Sequence, residues 1–365
     1  MARHGKEPQD HDLKLVSPLL MKTLTRRRAL KTLFCSSAAM ALNLQPRRAF
    51  AEASQGGLNF LAIGDFGSGA KDQKNVAQAM QDYAAKTGLK PDALFFIGDN
   101  FYGPANPLPK VKGKTVKGEA APFTPESKRW KTDIEEMYPA SAFPCPQYAV
   151  LGNHDYHDNK GGEKTQLAYA KQAGIRWQMP NKWYRQDLGG LITLLFVDTN
   201  LPDVSGKDNA TKKYTRASLT QEEEKAQLDW LKTELAKPRA AFTLVVGHHP
   251  LYSNGDHGDT KPLIDQWDSL FQEQKVHAYL CGHDHDLQHL ELEGKFTSHI
   301  LSGGGGAKTR KLEHPERTMP YGKDVHGFTH ITVQPDALTF AHHGVDGALL
   351  HQFTKRVDGK VAIKA

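Results

Sequence analysis

The chain's 365 residues carry 47 Lys+Arg against 41 Asp+Glu, a net charge of +6 that would suit a nucleic-acid or membrane partner if it were spread over a folded surface. It is not spread: ten of the cationic and three of the acidic residues fall within residues 1–51, which leaves 37 against 38 in residues 52–365. With 39% hydrophobic residues and no uninterrupted apolar run of about 18, the body is neither a disordered chain nor a membrane span, and it is long enough for one large α/β unit.

Residues 1–51 read as an export leader. Thr25-Arg26-Arg27-Arg28-Ala29-Leu30-Lys31 precedes a weakly apolar stretch over residues 32–44 and the small-x-small triplet Ala49-Phe50-Ala51. The order resembles a twin-arginine export signal, with Ala29 where a Phe is usual; a basic, frayed N-terminus is the plain alternative. The expectation is that residues 1–51 are removed and that 52–365 form a single domain, periplasmic or secreted. The twin-arginine translocation machinery would then be its partner during export, and no membrane contact is expected after the signal is gone. Cys35 lies in the leader, so two cysteines remain. Cys145 and Cys281 adjoin apolar strand-like text and read as buried free thiols, with a single disulfide left open.

From Leu58 onward short apolar runs alternate with amphipathic ones, and each apolar run ends in a Gly-flanked polar cluster. Residues 58–63 read as a strand running into Gly64-Asp65, followed by a polar helix to about Thr87 that stops at Gly88. Residues 93–97 form a second strand, into Gly98-Asp99-Asn100-Phe101-Tyr102, and 147–151 a third, into Gly152-Asn153-His154-Asp155. Three more strands are expected at 191–197, 242–246 and 276–280, with helices near 221–236 and 263–274. Strands alternating with helices predict βαβ units and buried sheets. Residues 296–302, 328–333, 337–342 and 348–354 read instead as an antiparallel meander completing a second sheet. Two long stretches without a period, 103–127 and 202–217, read as lids or mobile segments.

The strand-end clusters supply Asp65, Asp99, Tyr102, Asn153, His154, His248, His283 and His285, all oxygen or imidazole donors. Singly each has a dull reading as a turn residue or a satisfied loop; in this order, at the same edge of a sheet, they can converge on one pocket. Carboxylate plus imidazole without cysteine suits Fe, Mn or Zn. A phenolate is a hard anionic donor, so Tyr102, three residues after Asp99, points to Fe(III). No Ser or Cys nucleophile elbow and no Gly-x-x-x-x-Gly-Lys loop is present, which argues against acyl-enzyme chemistry and nucleotide-triphosphate switching.

The series Gly64-Asp65, Gly98-Asp99-Asn100-Phe101-Tyr102, Gly152-Asn153-His154-Asp155, Val245-Val246-Gly247-His248 and Gly282-His283-Asp284-His285 resembles the calcineurin-like metallophosphoesterases. Within them it is most similar to the small, tartrate-resistant type of purple acid phosphatase. That resemblance implies an α/β, four-layer αββα sandwich with two mixed sheets. It also implies that Asp65, Tyr102 and His285 hold Fe(III), that Asn153, His248 and His283 hold a divalent Fe, Zn or Mn, and that Asp99 bridges them. His154 adjoins a ligand Asn at a non-ligand position and is the candidate to protonate the leaving group, the plain alternative being a histidine that only orients Asp99 or a ligand; His257 matches a substrate-contacting histidine, with a solvent-exposed bystander as the alternative; His249 matches no ligand position. The implied activity is hydrolysis of small phosphate monoesters by metal-bound hydroxide, with a phosphodiesterase or nucleotidase as the alternative and a non-enzymatic iron- or phosphate-binding protein as the remaining one. No nucleic-acid partner is expected. Residues 103–127 look like an insertion, 302–306 are richer in glycine than the family pattern, and 202–217 differ from the loop that relatives carry over the active site.

Overall fold

The computed structural model describes residues 57–106, 110–111, 114–115, 121–208, 210–314 and 317–364; the leader reading falls outside them. Strand β1 (Leu58–Ile63) is followed by helix α1 (Lys71–Thr87), then β2 (Ala93–Ile97) and β3 (Gln147–Val150). Helix α1 buries Val76, Ala77, Met80 and Ala84 and stops at Gly88, whose φ of 68° closes it in the left-handed region. Short helices α2 (Asn153–His157) and α3 (Gly162–Tyr169) lead to β4 (Trp177–Gln178), β5 (Tyr184–Leu188) and β6 (Ile192–Phe196). Helix α4 (Gln221–Ala236) begins with a reciprocal cap: Thr220 Oγ1 accepts from the Glu223 N–H at 3.1 Å and a Glu223 carboxylate oxygen accepts from the Thr220 N–H at 3.0 Å.

The second half supplies β7 (Phe242–Val246), β8 (Ala278–Cys281), β9 (Leu287–Leu290), β10 (Ser298–Ser302) and β11 (Tyr321–Lys323). It ends with β12 (Gly327–Gln334), β13 (Ala337–Gly344), β14 (Leu349–Arg356) and β15 (Val361–Lys364). The helix expected at 263–274 is present as a continuous run whose middle, Ile264–Asp268, is π-helical. Strands β4, β5, β9, β11 and β15 were not expected. Two to five residues long, several of them polar, they owe their geometry to pairing with neighbours rather than to an apolar period.

Two mixed sheets result, in the orders β15-β14-β13-β12-β1-β2-β3-β4 and β11-β9-β10-β8-β7-β6-β5. Strands β1 to β4 are parallel, as are β6, β7, β8 and β10. β12, β13 and β14 run antiparallel as expected but extend the first sheet, with β12 paired to β1 in the register Leu58 to Val333; only 298–302 joins the second sheet.

The inner faces of the two sheets meet in one apolar core that joins Phe60 and Phe95 to Leu194, Phe196, Val246 and Leu280, while Phe96, the next residue along β2, points outward onto Phe66, Tyr138 and Trp177. Helix α1 packs on the outer face of the first sheet, and α4 and Trp267 cover the second through Leu231, Val245 and Tyr279. The layers are therefore helix, sheet, sheet, helix. Cys145 and Cys281 are buried free thiols. Among the described residues no helix is long and apolar enough to cross a membrane.

The two aperiodic stretches carry structure of their own. Lys110–Val111 pairs with Lys114–Thr115, and the stem of that loop is closed where Asn106 Nδ2 donates to the Pro122 carbonyl at 2.7 Å. In the other, Pro202–Gly206 forms a π-helical turn, Lys207 bridges to Tyr214, and the Ala217 carbonyl accepts from His157 Nε2 at 3.0 Å.

Candidate metal centre

Parallel strands bring their carboxyl ends to one edge, and here two sheets do so face to face. Asp65 follows β1, Asp99 follows β2, Asn153 follows β3, His248 follows β7 and His283 follows β8, each preceded by glycine. The glycine at 98 is demanded twice: its φ is +94°, and a Cβ there would run into the His248 ring. Asp65, Asp99 and His283 themselves take positive φ values of 56°, 52° and 71°, a conformation that costs non-glycine residues energy and collects at functional sites.

The donors predicted from sequence meet in this pocket. Tyr102 Oη lies 3.2 Å from both Asp65 Oδ1 and His285 Nε2, and His285 Nε2 lies 3.6 Å from Asp65 Oδ1. His248 Nε2 is 3.3 Å from Asn153 Oδ1 and 3.4 Å from Asp99 Oδ1. The His283 ring stands 5.2 Å from that of His248, centroid to centroid. Asp99 faces both groups, since its carboxylate also clusters with Asp65 and His285. All of these side chains except Tyr102, Asn153 and His283 are buried, and those three are half-buried.

Two of the imidazoles are aimed by their other nitrogen. His248 Nδ1 donates to the Ile97 carbonyl at 3.0 Å and His285 Nδ1 donates to the Lys308 carbonyl at 2.7 Å, which leaves both Nε2 lone pairs turned inward. The carboxylates are steadied by backbone N–H groups: His283 donates to Asp65 Oδ2 at 2.8 Å and His154 to Asp99 Oδ1 at 2.9 Å.

The electrostatics call for positive charge. Burial, reinforced by the nearby Asp99 charge, pushes Asp65 up to about 8. Burial would raise Asp99, but the charge and hydrogen bond of His248 together with the charge and backbone N–H of His154 pull it below the usual carboxylate range, and His248 in turn is pushed up to about 10 by Asp99 and Asp65 against its own burial. Without another cation the cluster must recruit protons to neutralise its carboxylates. His285, by contrast, is lowered to about 4 by burial and stays neutral, the form that binds a metal. Converging carboxylate, phenol, amide and neutral imidazole donors on a strained backbone fit a pair of metal ions.

The two remaining predicted residues flank the donors. His154 packs its ring 4.4 Å from Tyr102 and donates from Nδ1 to Asp158 Oδ2 at 2.9 Å. Burial opposes its charging, but the Asp158 bond and the Asp99 and Asp158 charges raise its pKa overall. His257 packs 4.0 Å from His283 and is held through Nδ1 by Asp284 Oδ1 at 2.8 Å.

Three contributors were missed from sequence. Asp155 is a buried hub: its carboxylate accepts from the N–H groups of Gly152, Asn100 and Phe101 and from Gln166 Nε2, tying the Asp99 and Asn153 loops together. His249, set aside as a non-ligand, lies with its ring 4.3 Å from His283 and its Nδ1 2.8 Å from Thr199 Oγ1. Burial and the adjacent His248 hold it well below the ordinary imidazole range, and a ring nitrogen of this neutral side chain lies within 4.8 Å of nitrogens of both His248 and His283. Arg129 donates to the carbonyls of Gly67 at 2.6 Å and Tyr102 at 2.8 Å, clamping the Tyr102 loop. Only Asp155 had a signal, its place in the Gly-Asn-His-Asp run.

The family model for calcineurin-like phosphoesterases matches residues 58–287. Purple acid phosphatase 7 of Arabidopsis thaliana is 30% identical over 306 residues, covering 82% of this chain and 86% of that protein. Tartrate-resistant acid phosphatase type 5 of Mus musculus is 28% identical over 311 residues, covering 80% and 88%. Among solved structures, GAP50, the anchor in the inner membrane complex of Plasmodium, aligns with a TM-score of 0.63 at 19% identity over 85% of this chain and 90% of that one. Purple acid phosphatase PPD1 of yellow lupin aligns at 0.59 and 18% identity, over 82% and 53%. At those identities the structural likeness speaks for the fold.

Proposed function

We propose, since the chain belongs to the calcineurin-like phosphoesterase family and stands within it beside the purple acid phosphatases, that it is an exported acid phosphatase hydrolysing small phosphate monoesters at an Fe(III)–divalent metal centre. The observation that carries this reading is Tyr102 Oη at 3.2 Å from both Asp65 Oδ1 and His285 Nε2. Burial and the Asp65 and Asp99 charges hold the Tyr102 phenol well above its usual range, so its ionisation there requires a cation strong enough to offset all three, which favours a trivalent ion.

Asp65, Tyr102 and His285 would hold the trivalent ion; Asn153, His248 and His283 would hold a divalent Fe, Zn or Mn, and Asp99 would be shared. Such a pair, when bound, lowers the pKa of a coordinated water and offsets charge on the phosphoryl oxygens. The chain's own residues complete the reaction. His154, kept protonated more readily by Asp158 and Asp99, supplies a proton to the departing alkoxide, and His257, oriented by Asp284, lines the side of the pocket where the leaving group stands. The backbone donors of His154 and His283 hold the two carboxylates in place during the displacement. Residues 1–51, read as a twin-arginine signal, support release into the periplasm or medium through the translocation machinery.

Steady-state kinetics on 4-nitrophenyl phosphate and bis(4-nitrophenyl) phosphate at about pH 5, with iron supplied, test the assignment. The monoester is expected to show a kcat/KM at least about tenfold higher. A diester preference would transfer the site to a phosphodiesterase, and turnover of neither would remove the enzymatic reading.

A further inference from the structure

The segment after the glycine run 303–306 is bolted to the metal-binding loops. Gly305 N–H donates to the Gly64 carbonyl at 3.0 Å, Ala307 N–H to the Asp65 carbonyl at 2.8 Å, and Arg310 N–H to the His285 carbonyl at 3.3 Å. The Lys308 carbonyl takes the His285 Nδ1 hydrogen, and the Ala307 carbonyl is held from behind by His326 Nε2 at 2.9 Å. Arg310 is therefore fixed relative to the ligands by backbone bonds, while its side chain, one third exposed, reaches the pocket mouth. Its Nη1 lies 3.0 Å from His257 Nε2 and 3.1 Å from Nδ1. Among the described residues its acidic neighbour there is the half-exposed Asp256 carboxylate at 3.6 Å, a separation and exposure at which an ion pair is weak and yields to a phosphate.

We infer that Arg310 forms a subsite for a second anionic group on the substrate, so that anhydrides whose leaving group is a phosphate, and esters whose alcohol carries one, are favoured over esters of a neutral alcohol. The inference rests on the acid phosphatase reading above, because it takes His257 to stand beside the leaving group. A departing group passing His257 meets the guanidinium directly, and a planar fork of donors matches phosphate oxygens two at a time. Lys308 and Lys311 flank Arg310 in the same segment and add to its positive field. With pyrophosphate, the oxygen of water bonds to one phosphorus as the bridging P–O bond breaks. The departing orthophosphate keeps the bonding pair, and two hydrogen phosphates result, sharing the protons of the water. Arg310 stabilises the charge gathered on the departing half.

The measurement is the ratio of kcat/KM for pyrophosphate to that for glycerol 2-phosphate, in the metal-loaded wild type and in Arg310→Gln and Arg310→Lys, with melting temperature as the folding check. The ratio should fall at least about tenfold in Arg310→Gln and recover in part in Arg310→Lys. An unchanged ratio, whether both substrates slow together or neither does, overturns the subsite; a joint loss would make Arg310 a positioning residue for His257. If the wild type turned over neither substrate, the phosphatase reading would be the one at fault. Calorimetric binding of methylenediphosphonate against orthophosphate then decides the subsite by itself: a preference that Arg310→Gln erases sustains it, and equal preference in both proteins overturns it.

Discussion

Asp99→Ala is expected to lower kcat by at least about three orders of magnitude and to strip metal from the protein, since losing a charge-neutralising ligand removes several kcal/mol of transition-state stabilisation and each 1.36 kcal/mol is tenfold. Asp99 is the carboxylate that faces both donor groups, 3.4 Å from His248 Nε2 and clustered with Asp65 and His285. It is also the counter-charge that raises His248, so its removal disturbs both halves together. Substitution at the edge of the site, such as His285→Ala, should spare the half built from His248 and Asn153. Metal analysis beside kinetics distinguishes the two, and an Asp99→Ala protein with full metal content and wild-type turnover would show that Asp99 is no shared ligand.

His154→Ala is the second large effect, a fall in kcat of about two orders of magnitude or more with metal content preserved. The separation is possible because the bond that His154 makes to Asp99 Oδ1 comes from its backbone N–H, which alanine keeps. Only the imidazole is lost, with its Nδ1 bond to Asp158 and its contact with the Tyr102 ring. Asp158→Asn should act in the same direction more weakly, because it removes the charge that raises the His154 pKa while leaving the ring in place. Turnover unchanged in His154→Ala would remove its role as proton donor, and metal loss would recast it as support for Asp99.

Much of the site was legible in the sequence for a physical reason. Strands buried on both faces read as short apolar runs, and the polar residues that interrupt them at a glycine have to sit where the sheet opens. That logic picked out Asp65, Asp99, Asn153, His248 and His283 at the ends of β1, β2, β3, β7 and β8. Helix α4 was equally plain, from its amphipathic text. What the sequence withheld depends on long-range pairing. Whether β12 continues the first sheet or the second turns on its register with β1, Val333 against Leu58, which no local pattern encodes. Strand β5, Tyr-Arg-Gln-Asp-Leu, has no apolar period and exists because β6 pairs with it. Arg129, Arg310 and His249 escaped for a related reason: a cation on a loop or a second histidine in a pair acquires meaning only from the carbonyls and rings it meets after folding.

Donors drawn from more than two hundred residues of chain, Asp65 to His285, are placed to hold two metal ions with Tyr102 bound to one of them. Elemental analysis of the purified protein, read beside its visible spectrum and that of Tyr102→Phe, addresses it most directly. About two transition-metal ions per chain, one of them iron, with a visible charge-transfer band that disappears in Tyr102→Phe while the iron stays, is the predicted result. A chain that carries one ion or none, or a band that survives in Tyr102→Phe, would contradict it.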